Sequence, residues 1–156
     1  MSRRHRADKR ELIPDPRNNS QLVTRVINAV MKSGKKSVAE KIVYGAIEEI
    51  RSKMTEDPLE VLVRAIENCK PKVEVRSRRV GGANYQVPVE VSRERQLALA
   101  LRWLTQFSSQ RKGVPMQKSL ALELMDAFKN QGNVVRKRDD THKMAQANKA
   151  FAHYAW

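Results

Sequence analysis

A single cysteine, Cys69, leaves this chain no intramolecular disulfide, so a stapled extracellular scaffold is excluded and a reducing compartment fits. No apolar run approaches the roughly 18 residues needed to cross a bilayer, and no secretory h-region follows Met1. The match to a glycosylation acceptor at Asn18-Asn19-Ser20 therefore carries nothing. Acidic residues are scarce: 17 Asp plus Glu stand against 31 Lys plus Arg, a formal net charge of +14. That excess does not fix a fold, but it calls for a polyanionic partner. A membrane surface is argued against by the basic, helix-poor start, and nucleic acid remains. Catalytic groupings are missing too. His5, His142 and His153 are scattered, without Cys or carboxylate at metal-ligand spacing. Ser33-Gly34-Lys35-Lys36-Ser37 imitates the end of a phosphate-binding loop, yet Ala29 stands where the earlier Gly belongs and Lys36 where the hydroxyl belongs. Cys69 falls on an apolar helical face with no His placed to activate it, which makes it a small core residue. No enzyme activity, cofactor, metal or small-molecule substrate is expected.

The 156 residues suit one domain, with no internal repeat or low-complexity stretch. Residues 1–19 read as a basic extended arm in which Pro14-Asp15-Pro16 blocks helix propagation. Residues 20–156 read as a helical domain. Ser20 is placed to cap a first helix carrying Leu22, Val23, Val26, Ile27, Val30 and Met31, with Gly34 as its end. A second carries Val38, Ala39, Ile42, Val43, Ala46, Ile47 and Ile50. Asp57 and Pro58 open a third, with Leu59, Leu62, Val63, Ile66 and Cys69 inward and Pro71 as its stop. The period then changes from 3.6 to 2 across residues 72–91, around Gly81-Gly82-Ala83-Asn84, which predicts a β-hairpin. Within it Pro88 cannot donate a ladder hydrogen bond, so its nitrogen should face away from the partner strand. Three further helices follow: Leu97, Leu101, Leu104 and Phe107; then Met116, Leu120, Leu124 and Phe128; then a last one from Gly132 and Asn133. The expected fold is mainly α: a single-domain bundle of about six helices with one protruding hairpin between the third and fourth.

Seven of the 17 acidic residues lie between Glu40 and Glu67, so the second and third helices should make a near-neutral face toward water. Unbalanced positive charge gathers elsewhere, and phosphate binding needs it gathered. The arm supplies Arg3, Arg4, Arg6, Lys9, Arg10 and Arg17. Lys72, Arg76, Arg78 and Arg79 lie on a hairpin whose strands reach roughly 23 Å at about 3.3 Å per residue. Arg93, Arg95 and Arg102 lie on the fourth helix with Trp103, whose ring suits either a stacked base or the core. Arg111 and Lys112 follow that helix. Arg136, Lys137 and Lys143 lie on the sixth, beside Asp139 and Asp140, at spacings that also permit the local pairs Arg136–Asp140 and Asp139–Lys143.

Taken in order, Pro14-Asp15-Pro16, Gly34-Lys35-Lys36-Ser37-Val38-Ala39, and Ser77 through Ala83 with Tyr85-Gln86-Val87-Pro88-Val89-Glu90-Val91 resemble the small-subunit ribosomal protein seven family. So do Ala100-Leu101-Arg102-Trp103 and the stretch 138–156, and the resemblance covers essentially the whole chain. It implies a helical bundle with a hairpin arm in the head of the small subunit, bound directly to the 3′ major domain of 16S-type rRNA and nucleating head assembly. It further implies a hairpin near exit-site tRNA and messenger RNA, with Arg78, Arg79, Gly81, Gly82, Ala83, Asn84 and Tyr85 closest to them. Neighbouring head and platform proteins are implied as partners, in ribosomes of the cytoplasm or of an organelle's matrix or stroma. Carried onto this chain, the motifs make Lys35, Lys36, Arg76, Arg78, Arg79, Arg102, Arg136, Lys137 and Lys143 rRNA contacts. Where family members often carry a denser basic cluster, this chain has Phe107-Ser108-Ser109-Gln110-Arg111-Lys112. The rival readings are a DNA-binding or nucleoid protein and an RNA-processing enzyme.

Overall fold

The computed structural model describes residues 10–155. The expectations for Arg3, Arg4, Arg6, Lys9 and Trp156 lie outside them. In chain order the elements are α1 (Gln21–Val30), α2 (Lys36–Lys53), α3 (Pro58–Cys69), β1 (Val73–Val80), β2 (Ala83–Glu90), α4 (Arg93–Gln110), α5 (Met116–Phe128), α6 (Asn133–Ala147) and a 3₁₀ helix (Lys149–Tyr154). The fold is mainly helical, with one antiparallel hairpin between α3 and α4, as the change of period predicts.

At the centre is α5. Its Leu120, Ala121, Leu124 and Ala127 are buried, and α2, α3 and α4 all pack against it. Leu120 and Leu124 each contribute about 2 kcal/mol by leaving water. Close approach of α2 is permitted by Gly45, where a Cβ would stand 3.0 Å from Gln117 Oε1. Trp103 of α4 is 8% exposed, which makes it core and not a stacking platform. Cys69 is buried in the same core, and desolvation pushes its thiol up to about 12, so it is no nucleophile.

Two apolar positions depart from the sequence reading. Val38 is 51% exposed and Val63 49%, because each lies at the edge of its helix's apolar stripe. In α3 the inward face is completed instead by Val61 and Ala65. The stop of α1 differs as well. Met31 turns extended, so the helix ends at Val30, and the positive φ of both Ser33 and Gly34 belongs to the turn that follows. Ser20 and Asp57 occupy their N-cap positions without a side-chain capping hydrogen bond.

Residues 13–19, expected within the arm, are docked on the body. Asp15 is buried and accepts hydrogen bonds from Tyr44 Oη at 2.5 Å and from Asn18 N and Nδ2, both at 3.0 Å. Thr24 Oγ1 donates to the Ile13 carbonyl, and the Arg17 guanidinium lies 4.3 Å from the centre of the Tyr44 ring. A buried carboxylate with three donors is a local lock, invisible to proline and charge counts.

Gly81 and Gly82 form a two-residue turn with φ of 56° and 89°, the left-handed pair that a tight hairpin turn needs. Val91 N donates to Lys72 O, and hydrogen-bonded pairs alternate along an antiparallel ladder. Val75 opposite Pro88 is therefore a non-hydrogen-bonded pair, and the proline nitrogen faces away from β1. The root of the hairpin is not a free projection. Val87 is fully buried, β1 packs on α6, and β2 packs on the 3₁₀ helix. Tyr85 lies 5.4 Å from Phe151 and 5.0 Å from Tyr154, ring centre to ring centre, and Arg78 donates to the Tyr154 carbonyl. Only the tip stands clear.

One tether between hairpin and body is sensitive to pH. Lys72 N donates to His142 Nε2 at 3.0 Å, which requires a neutral imidazole. Burial and the neighbouring Arg138 lower the proton affinity of His142. The unfolded chain therefore takes up this proton first as pH falls below about 6.5. The contribution of His142 is complete above that value and lost as pH falls through the depressed folded one. Urea midpoints measured at pH 7.5 and 5.5 should drop more in the native protein than in His142→Gln, whose amide oxygen accepts the same bond without titrating.

Candidate nucleic-acid interface

Lys35 immediately precedes α2, and Arg102 lies midway along α4. Packing of both helices on α5 brings these two residues to one groove of about 550 Å³. The connection after α1 adds Lys32, which the sequence reading passed over. Val38, Ala39 and Ile42 provide apolar lining, and the loop after α4 closes one side with Val114. Among the described residues no carboxylate lines the groove. Cations that cannot be neutralised locally, held around one depression, are what phosphate binding requires.

From there the basic surface follows α4. Arg95, Ala98, Arg102, Gln106 and Ser109 recur every three or four residues, and all are exposed. Arg95 and Arg102 thus share a stripe and stand about 10 Å apart along the axis, at 1.5 Å per residue. These five residues include no acid, and the exposed Glu94 borders the stripe only at the first turn of the helix. At its far end Glu74, 8% exposed, bridges Arg76 at 2.6 Å and Arg95 at 3.3 Å, locking β1 to α4. Two guanidiniums share one carboxylate, so net positive charge remains at this root. Arg93 is exposed beside it.

Other expected site residues are dispersed. Alternation along β1 puts Arg76 and Arg78 on the inward face with Glu74, and Arg79 on the outward face. Gly81, Gly82, Ala83 and Asn84 are exposed at the tip, whereas Tyr85 is half-buried in its aromatic cluster. Lys36 lies 3.9 Å from Glu40 and lines the cleft beside residues 11–16, apart from Lys35. Arg136 and Lys143 line a separate depression together with Asp139 and Asp140. The local pairs expected there are not formed among the described residues; Arg138 takes Asp139 and also donates to the Asn68 carbonyl. Lys137 is half-buried, and Arg10, Arg17, Lys72 and Lys112 are exposed.

Arg111 has a structural partner that spacing could not reveal. Glu123, with no exposed surface, accepts from Arg111 Nε at 2.8 Å, and Asp126 accepts from Nη2 at 2.8 Å. This pair pins the loop that forms the closing side of the groove.

Opposite charge collects elsewhere. Glu56, Asp57, Glu60 and Glu67 are exposed on or beside α3, and Glu48 on α2. Among the described residues no three of His, Cys, Asp or Glu gather to hold a metal, and no helix is long and apolar enough to cross a membrane. A cationic stripe on one side and mixed charge on another make a surface suited to holding a polyanion. The model of the family described as ribosomal protein S7p/S5e matches residues 2–149. Relatives named small ribosomal subunit protein uS7 align over the whole of both chains: 58% identical in Dictyoglomus turgidum, 56% in Thermodesulfovibrio yellowstonii and 56% in Sorangium cellulosum. The chain belongs to this family of small-subunit ribosomal proteins, which are structural and not enzymatic.

Arg111 and Arg102 should separate structure from recognition. Arg111→Ala strands a buried carboxylate and should cost about 3 kcal/mol in urea unfolding. Arg102→Ala, on an exposed stripe, should change stability by less than about 0.5 kcal/mol.

Proposed function

We propose that this chain is a primary rRNA-binding component of the small subunit, gripping the 3′ major domain of 16S-type rRNA and nucleating assembly of the head. The observation that carries the reading is the acid-free stripe of α4 ending in the groove of Lys32, Lys35 and Arg102. Phosphate contacts there fix position and orientation, and rRNA shape supplies selectivity, since A-form helices hide base edges in a narrow major groove. Arg95 extends the grip along α4 as a supplementary phosphate contact, whereas Lys36, in the cleft beside residues 11–16, and Arg93, on another face of α4, contact phosphate separately. Arg79 and the exposed tip, Gly81 to Asn84, are free of the body and form the part that approaches exit-site tRNA and messenger RNA. Arg136, Lys137 and Lys143 make a second, weaker rRNA contact, tempered by Asp139 and Asp140. The mixed-charge side at α3 is left to neighbouring proteins, because it offers a polyanion no net attraction.

Binding of a 3′ major domain transcript, measured by filter retention across a salt series, tests this reading. Lys35→Gln and Arg102→Gln should each weaken binding and reduce the slope of log K against log salt by roughly one. Duplex DNA should compete poorly. Equal affinity for duplex DNA and transcript would instead favour the nucleoid reading.

A further inference from the structure

We propose that the groove between α2 and α4 receives one unpaired nucleotide, with its base on the apolar floor and its flanking phosphates on the cationic rim. The inference rests on the rRNA-binding reading and deepens it. A clamp for backbone alone needs only charge, yet Val38 is 51% and Val114 37% exposed in this groove. Exposed apolar surface beneath a rim of Lys32, Lys35 and Arg102 suits a ligand that is anionic at its edge and apolar on one face. A nucleotide has that construction, and only an unstacked one can present its base face. The groove's volume of about 550 Å³ lies within the roughly 300–1,000 Å³ common for small-ligand sites.

An independent observation comes from the wall. Ser108 is 1% exposed and lines the groove, and its Oγ has no hydrogen-bond partner. Its carbonyl accepts from Ser119 Oγ at 2.5 Å, which fixes this turn of α4 against α5 while leaving the hydroxyl to rotate. A buried hydroxyl left without a partner is unfavourable, and a rotation about χ1 toward the groove would bring it to a polar base edge or ribose hydroxyl. An acidic peptide would meet the same rim. The α4 stripe running on to Arg95 favours a continuous chain of phosphates over an isolated acidic segment.

The test uses full-length protein and the 3′ major domain transcript, with p-benzoylphenylalanine replacing Val114 as photocrosslinker. Crosslinks should concentrate on one or two adjacent nucleotides that chemical probing finds unpaired. Val38→Glu should lower affinity at least tenfold beyond Ser37→Glu, which puts the same charge one residue away, outside the groove lining. Val38→Ser, which changes no charge, should lose threefold or more. The proposal is overturned if crosslinks fall on paired RNA, or on a protein chain in reconstituted subunits. It is overturned equally if Val38→Glu and Ser37→Glu bind alike while the native protein binds well. Should the native protein fail to bind the transcript at all, the rRNA-binding reading falls and takes this inference with it.

Discussion

Inside the body, Glu123 holds a carboxylate with no access to water, and the groove is arranged around the group that neutralises it. Glu123 lies on the inward face of α5 beside Leu120 and Leu124, so its charge must be met by another chain segment or the helix could not be buried as it is. Arg111 meets it, twelve residues back and across a loop, and also takes Asp126. Such a pair adds little net stability over an apolar substitute, but it fixes where the loop lies. The loop is the side of the groove that carries Val114. An ion pair anchored in the core thus shapes the groove that Arg111 itself lines.

The second organising fact is where charge is not. With a net charge of +14, the chain could have spread its cations evenly and still been soluble. Instead the exposed stripe of α4 carries arginines and small polar residues without an acid, while α3 presents Glu56, Asp57, Glu60 and Glu67. On a surface so divided, a polyanion is drawn to the cations of one side and finds no comparable attraction on the mixed-charge other. Orientation is settled before close contact is made. Helices packed on a common centre hold Lys35 and Arg102 at a fixed separation, so under the proposed function little ordering would remain to be done when RNA arrives.

Local signals were readable from the sequence, and long-range pairings were not. The hairpin follows from one change of period and two glycines, and α3 from Asp57-Pro58 followed by a 3.6-residue repeat. Lys35 and Arg102 were marked by charge, but their meeting depends on packing that no spacing states. Asp15 looked like one residue of a proline-stiffened arm; its burial depends on Tyr44, 29 positions on. Tyr85 looked like tip chemistry, yet Phe151 and Tyr154 enclose it from the far end of the chain. Nothing local distinguishes Arg111 from Lys112, so charge alone groups the two together. Val38 reads as inward because periodicity locates a stripe and not the edge of one.

Directed hydroxyl-radical cleavage tests most directly whether one side of this protein faces rRNA. The lone thiol makes it practicable: in a Cys69→Ala background, iron chelates can be tethered to a new cysteine at Arg95 or Gln106 on the α4 stripe, or at Glu60 on α3. The account predicts strong, localised cuts in the 3′ major domain from the two α4 positions and weak or absent cleavage there from α3. Comparable cleavage of that domain from both sides, or cleavage from α3 alone, would contradict it.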